Sequence, residues 1–308
     1  MLRDLGRDDP QIDATRAIIN AIRPDILLLT NIDHDYDGFA LAILSKQLGY
    51  AYHFTAAPNA GKMTSLDLDL NGKTGEPRDA QGYGRFAGDG GMAVLSAWPI
   101  AEVTDLTDML WTDLPEATPP EGWPADVLAI QRLSSVNHWI VPIDHPDGVL
   151  HLLAYSATPP VFDGPEDRNG LRNADELGLW THILRTEPPP DFIVIGNANL
   201  DPVDGQGLSD RMTAFLANPM ITDPMPKSAG GAAVQDPSHQ GDPALDTADW
   251  DEDGAGNLRV DYVLPAATWT VKDAGVFWPA PHDPLADLLG SDGMAVGRHR
   301  LVWVDIAR

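Results

Sequence analysis

Three short stretches concentrate side chains able to do chemistry. In DFIVIGNANLDP (191–202) an apolar run ends in a glycine and then presents two amides, Asn197 and Asn199, on either side of an alanine. The pattern predicts a buried strand that delivers side chains to a site at its C-terminal end. An amide offers an oxygen to a metal or a hydrogen-bond partner, but it carries no charge and cannot act as a base near neutral pH. In LDLDLNGKTGEPRD (66–79) the spacing D-x-D-x-N-G sets Asp67, Asp69 and Asn71 as three oxygen donors around one Ca²⁺, with Gly72 at the sharp turn. Arg78 stands where an EF-hand loop needs a bidentate glutamate, so a full EF-hand is excluded. A reduced Ca²⁺ loop would close on Glu76 or Asp79, and a plain Asp/Gly turn is the alternative. The third stretch, NIDHDYDG (31–38), carries Asp33, Asp35 and Asp37 directly after an apolar run. These suit either metal ligation or a solvated turn that caps the next helix.

Periodicity predicts the elements that must position these groups. Residues 13–23 place Ala14, Ala17, Ile18, Ala21 and Ile22 at helical spacing, with Asp13 as the cap. Pro24 and Asp25 end that helix, and ILLL (26–29) reads as a buried strand. Further helices are expected over 38–49, ending at Gly49, and over 171–185, rich in Leu, Trp and Ile. Strands are expected at 51–56, 91–96, 138–143, 149–156, 191–196, 259–264 and 300–306. The segments 57–90 and 222–258 are long, polar and Gly/Asp-rich, and loops of that length in a compact domain tend to carry function. No short repeat and no linker divides the chain, so one domain over 1–308 is expected.

Composition narrows the chemistry. With 308 residues and no cysteine there are neither disulfides nor thiolate metal sites, and any metal is held by oxygen or imidazole, which favours Mg²⁺, Mn²⁺ or Ca²⁺. The 46 acidic and 20 basic residues leave a net charge of −26. Such a surface repels phosphate backbones, so a small phosphoester or anionic ligand is a better expected partner than nucleic acid. No segment approaches the ~20 consecutive apolar residues of a membrane span. The opening MLRDLGRDDPQ lacks the apolar core of a signal peptide. The chain then reads as cytoplasmic, or as exported with a leader removed or lying upstream. His138, His151 and His182 show no ligand spacing, and the nine tryptophans read as core packing. GDGG (88–91) precedes a strand, whereas a phosphate cradle would precede a helix.

Seven segments, taken together, resemble the endonuclease/exonuclease/phosphatase superfamily. PDILLLTNID (24–33) resembles its "PDIL-L-QE-D" strand, GGMAVLSAWPI (90–100) its "GNAILSRYPI" strand, and HLLAYSATPP (151–160) the strand ending in "NTHL". RNGLRNADELGLW (168–180) matches the helix that follows. VIGNANLDP (194–202) resembles "LAGDFNADP", RVDYVLP (259–265) resembles "RIDYIL", and GRHRLVWVDI (297–306) resembles "SDHRPVWADI". Each match is short, but all seven fall in family order across 24–306, and the nearest variety is the bacterial, often exported, branch. The resemblance implies an α/β (α+β) fold, a four-layer αββα sandwich of two mixed β-sheets flanked by helices. It also implies Mg²⁺-dependent, or Mn²⁺-dependent, phosphodiester hydrolysis at one end of the sandwich.

Carried over residue by residue, the resemblance makes His299 the transition-state histidine, Asp261 the carboxylate that orients it, and Asn199 a holder of phosphate or water. The departures are heavy. Asn31 stands at the metal-binding glutamate, Asn197 at the water-activating aspartate, Ser156 at a substrate-contacting histidine, and Arg298 at the aspartate before the last histidine. Two lost carboxylates weaken a hard-cation site, unless Asp33 or Asp35 supplies a shifted ligand. The expectation is a family hydrolase with an impaired site; the alternative is a catalytically silent anion-binding or scaffold protein, with Arg298 adding positive charge. The family's first strand, which carries a further asparagine, has no counterpart before residue 24. A longer gene product that supplies it, together with an export leader, is therefore expected.

Overall fold

The computed structural model describes residues 5–7, 9–251 and 253–308. Helix α1 (Pro10–Ile22) is capped by Asp9 rather than by Asp13. Asp9 Oδ1 accepts from the backbone N–H of Gln11 at 3.0 Å and of Ile12 at 3.1 Å, and Pro10 takes a first-turn position that needs no donor. Asp13 sits instead in the first turn, where its charge meets the positive end of the helix dipole. The chain then runs through β1 (Ile26–Ile32), α2 (Phe39–Leu48), β2 (Tyr52–Phe54), β3 (Gly91–Ser96), β4 (Thr104–Asp105), α3 (Ala125–Leu128), β5 (His138–His145), β6 (Gly148–Ser156) and α4 (Arg168–Thr186). It continues through β7 (Phe192–Asn197), α5 (Ser209–Leu216), α6 (Ala229–Ala233), β8 (Ala248–Asp249), β9 (Asn257–Leu258), β10 (Asp261–Pro265), β11 (Thr270–Val276) and β12 (Val302–Ala307).

Alternation along the strands sorts these elements into layers. In β3, Met92 and Val94 join a central cluster with Trp139, Val141, Leu150, Leu152 and Ile193, while Ala93 and Leu95 face the other way onto Ile19 of α1 and Leu41 of α2. In β7, Ile193 faces the central cluster, while Phe192 and Val194 pack on Leu177, Trp180 and Leu184 of α4. The order is helix, sheet, sheet, helix: a four-layer αββα sandwich. The larger sheet runs β10–β7–β6–β5–β4, with β6 and β7 parallel and the other pairs antiparallel.

The second β layer is in two pieces, β2–β3–β1 and β11–β12. Ile18 of α1 packs with Val276 and Val302 of the second piece, while Ile19 packs on the first, so one helix covers both. From the two pieces, Ile26 and Leu28 of β1 and Ile306 of β12 pack together against the larger sheet. No strand–strand hydrogen bonds join the described residues of β1 and β12, and both strands border a common cavity. Strand β11 and helix α5 lie in segments that periodicity does not mark; in β11 the sequence TVKDAGV is exposed at Thr270, Lys272 and Asp273, buried only at its end, and lacks alternation.

Candidate active site

Register in the larger sheet brings three of the expected site residues abreast. Ser156 of β6 pairs with Asn197 of β7, and Asn197 pairs with Asp261 of β10. All three line a cavity of about 1700 Å³, together with Asn31, Asp33, Asn199, Arg298 and His299. Strand register and the His299–Asp261 contact therefore bring Ser156, Asn197, Asp261 and His299 together at the strand ends. The cavity runs on between the sheets as far as Asp147 and Arg308, and carries Asn31, Asp33 and Arg298 on the same wall.

The best-defined pair is His299 with Asp261. His299 Nδ1 lies 2.8 Å from Asp261 Oδ2, so the ring nitrogen donates to the carboxylate and Nε2 is left for another partner. Thr247, fully buried, holds that carboxylate in place. Its hydroxyl donates to Asp261 Oδ2 at 3.1 Å and accepts from the backbone N–H of Val260 at 2.9 Å and of Asp261 at 3.0 Å. Burial pulls the His299 pKa down, but the charge and hydrogen bond of Asp261 outweigh it, and the net shift is upward. Trp250 meets the imidazole edge to face at 5.3 Å.

The amides do two jobs. Asn197 Oδ1 accepts from the backbone N–H of Asn199 at 2.9 Å, and Asn199 Nδ2 donates to the Ala157 carbonyl at 2.7 Å, tying the end of β7 to the end of β6. Asn31 and Asn199 have φ of 54° and 49°, a left-handed region that asparagine tolerates better than most residues. Asn31 sits where the β1–β3 register breaks between Leu29 and Ile32, and Gly90 lies so close that a Cβ there would come 3.0 Å from Asn31 Oδ1. The amide at 31 thus suits a backbone constraint as well as a site.

The acidic residues after β1 separate. Asp33 lines the cavity and is exposed, whereas Asp35 Oδ2 accepts from the backbone N–H of Ala40 at 2.7 Å at the start of α2. Arg298 also lines the cavity, but its guanidinium grips Asp251 through Nη1 at 3.3 Å and Nη2 at 2.9 Å, so its charge is balanced. Among the oxygen donors on the cavity wall are the amides of Asn31 and Asn197 and the carboxylate of Asp33, groups of the kind a hard cation such as Mg²⁺ or Mn²⁺ takes, with a single charge among the three.

Helix α4 braces the loops behind the site. Arg172 donates to the carbonyls of Gln81, Arg132, Leu133 and Ser134. Glu176, wholly buried, accepts from the backbone N–H of Ser135 at 2.6 Å and of Thr158 at 2.7 Å, and burial raises its pKa to about 7 against the lowering influence of Arg172 and these hydrogen bonds. His138 is a satisfied core residue: Nδ1 pairs with Ser134 Oγ and Nε2 with the Glu176 carbonyl, and burial lowers its pKa to about 4.

In the 66–79 loop, Asp67 and Asp69 group with Asp79, while Asn71 turns its Nδ2 donors onto Asp69 Oδ2 at 3.0 Å and Glu76 Oε2 at 2.9 Å. Motif reading does not mark Thr247, Trp250 or the exposed rim residues Tyr83, Phe86 and Phe162 that border the cavity. Thr247 acts only through residues 13 and 14 positions away, and the exposed aromatics are recognisable only once the loops are folded.

The sequence profile of the Endonuclease/Exonuclease/phosphatase family matches residues 2–292. No curated protein matches the chain. Among solved structures, the chain is similar to an endonuclease/exonuclease/phosphatase from Beutenbergia cavernae DSM 12333, with a TM-score of 0.56 and 17% identity over 98% of this chain. It spans 66% of the length of that protein, just under two thirds. It is also similar to an endonuclease/exonuclease/phosphatase family protein from Leptotrichia buccalis C-1013-b, with a TM-score of 0.54, 14% identity and coverage of 97% and 93% of the two chains. A third similar structure is a variant of the 3′ phosphatase NExo from Neisseria bound to product DNA hairpin, with a TM-score of 0.54, 15% identity and coverage of 97% and 95%. At these identities the likeness speaks for the fold.

Proposed function

The chain belongs to the endonuclease/exonuclease/phosphatase family, and from that premise we propose that it is a slow, metal-dependent phosphoester hydrolase acting on small phosphodiesters. The observation that carries this reading is the Asp261–His299 hydrogen bond of 2.8 Å, set beside Asn197 and Ser156 on the cavity wall. Mg²⁺ or Mn²⁺ held by Asn31 and Asp33 would polarise a phosphoryl oxygen. Asp261 favours the protonated form of His299, and in that form Nε2 would donate to the charge that develops on phosphorus-bound oxygen. Asn199 and Asn197 orient phosphate or water through their amides. Neither accepts a proton near neutral pH, so water attack lacks the base that a carboxylate at 197 would give, and turnover is slow.

Substrate size follows from charge and rim. A net charge of −26 opposes long nucleic acids, while Tyr83, Phe86 and Phe162 offer faces on which an aromatic group of an ester could stack. The test is a panel of aryl phosphodiesters, aryl phosphates and short single-stranded DNA with Mg²⁺, Mn²⁺ and Ca²⁺. Metal-dependent cleavage of an aryl phosphodiester that is lost in His299→Ala is the expected result. No turnover with any metal would remove the hydrolase reading and leave a catalytically silent binding protein.

A further inference from the structure

We infer that Asp67, Asp69 and Asp79 form a Ca²⁺ site, remote in function from the hydrolytic pair, that fixes the loop leading to the cavity rim. One oxygen of each residue lies within 4.8 Å of the others. A second observation points to a cation. The Asp69 side chain is only 9% exposed, and its Oδ1 is buried without a hydrogen-bond partner among the described residues. A buried carboxylate oxygen with no donor is costly, and a bound cation relieves it.

The other two carboxylates are held in place by backbone. Asp67 accepts from the N–H of Asn71 at 3.1 Å and of Gly72 at 2.7 Å. Asp79 accepts from the N–H of Leu68 at 3.0 Å and of Glu76 at 2.8 Å. Each of these oxygens keeps a further lone pair for a metal. Three cations stand nearby, and each offsets part of the carboxylate charge. Arg78 Nη1 lies 3.8 Å from Asp69 Oδ2 on a half-exposed side chain, and Lys73 Nζ is 3.5 Å from Glu76. The half-buried Arg168, which donates to the Leu68 carbonyl at 3.0 Å, interacts with the Asp69 charge. Three carboxylates on one loop, with water completing the shell, match the oxygen-rich, adaptable coordination of Ca²⁺. Mg²⁺ demands tighter octahedral geometry, and a donor set without imidazole or thiolate disfavours zinc.

Position gives the site its consequence. Immediately after Asp79, bridges pair Ala80 with Met63 and Gly82 with Ala60, and the chain then places Tyr83, Arg85, Phe86 and Asp89 on the cavity. Ca²⁺ at Asp69 therefore stiffens the stem of the rim without touching the Asp261–His299 pair.

Thermal melting of the full chain in a chelator and in excess CaCl₂ tests this, because it needs no hydrolytic activity. At free Ca²⁺ about 100 times Kd the midpoint should rise by about 5 °C. Asp69→Asn should abolish the rise and Asp261→Asn should keep it, with an equal concentration of Mg²⁺ giving much less. Ca²⁺ should also slow proteolytic cleavage within residues 66–79 about tenfold. Should Asp69→Asn fail to fold, Arg78→Ala serves instead: removing one competing cation should tighten Ca²⁺ binding several-fold by calorimetry. A parent whose melting and cleavage ignore millimolar Ca²⁺ overturns the inference, and so does a rise that survives in Asp69→Asn.

Discussion

The cavity edge of the larger sheet and the 66–79 loop both gather oxygen donors, but they build them in opposite ways. At the cavity, strand register sets the geometry: Ser156, Asn197 and Asp261 are abreast because β6, β7 and β10 are paired, whatever those side chains are. In the loop, the side chains make the geometry, since Asp67 and Asp79 hold four backbone N–H groups between them. The difference teaches where substitution is tolerated. A sheet-held position can exchange a carboxylate for an amide and keep its place, whereas a loop-held carboxylate cannot be lost without loosening its own scaffold.

The largest expected effect is catalytic. His299→Ala should lower kcat for the aryl phosphodiester by about 10²–10³, the scale of one transition-state donor, with little change in melting temperature. In Asp261→Asn the same loss should come with a shifted pH profile. The parent's His299 pKa is raised, so its protonated form, and activity, should decline only as pH climbs through that raised value. Removing the Asp261 charge should move that alkaline limb to lower pH, which a kcat–pH series measures. The raised pKa also means that the pair's contribution to stability is fully present below the ordinary histidine value and lost as pH rises through the folded one.

Next comes a stability contrast that would break the comparison if it failed. Asp79→Ala leaves the N–H groups of Leu68 and Glu76 without acceptors, around a residue that is 1% exposed. It should destabilise by about 2–4 kcal/mol in chemical denaturation. Asn197→Asp keeps its acceptor to Asn199 and should cost less than about 1 kcal/mol. Similar losses in both would mean that sheet register does not hold the cavity as described.

A smaller effect sharpens the account behind Thr247. Burial first, and then the charges of Asp201, Asp204 and Asp242, raise the Asp246 pKa to about 7. Because the folded value exceeds that of the unfolded acid, its ionisation opposes folding increasingly from about pH 4 to about pH 7, then by a constant amount. Asp246→Asn should therefore raise the melting temperature near pH 8 and leave it unchanged near pH 3. Smallest of all, Ser156→His alone should alter the rate less than about fivefold, because a donor adds little where the phosphoryl group is weakly polarised.

Much of the scaffold is legible in residue patterns. The strand expected at 91–96 has those same bounds in the fold, and the helix expected over 171–185 is the core of α4. Apolar runs and alternation are local signals, and these elements carry them strongly. Asp9 displaces Asp13 as the cap because Pro10 can begin a helix, a signal one turn earlier than the apolar spacing. The candidate site is half legible. Motif order picks out Asp261, His299, Asn197 and Ser156, but Thr247, the Asp251 clamp on Arg298 and the positive φ of Asn31 depend on long-range packing that no local pattern encodes. In the 66–79 loop spacing marks Asp67, Asp69 and Asn71, and offers Glu76 or Asp79 to close it; in the fold Asp79 groups with Asp67 and Asp69, while the Asn71 amide nitrogen donates to Asp69 and Glu76.

The central claim is that Asn31 and Asn197 occupy the metal and water positions of a hydrolytic cavity whose geometry survives without their charges. Its most direct test is the Mg²⁺ dependence of aryl phosphodiester cleavage in the parent, in Asn31→Glu with Asn197→Asp, and in the triple variant with Ser156→His. Asn31→Glu carries a strain of about 1 kcal/mol at its positive φ, which the restored charge must exceed. The account predicts that half-maximal rate moves to at least about tenfold lower Mg²⁺ in the double variant, and that the triple variant cleaves fastest. A parent that already matches the triple variant in rate and Mg²⁺ requirement would contradict it, and would leave Asp33 and other carboxylates, rather than Asn31 and Asn197, as the working groups.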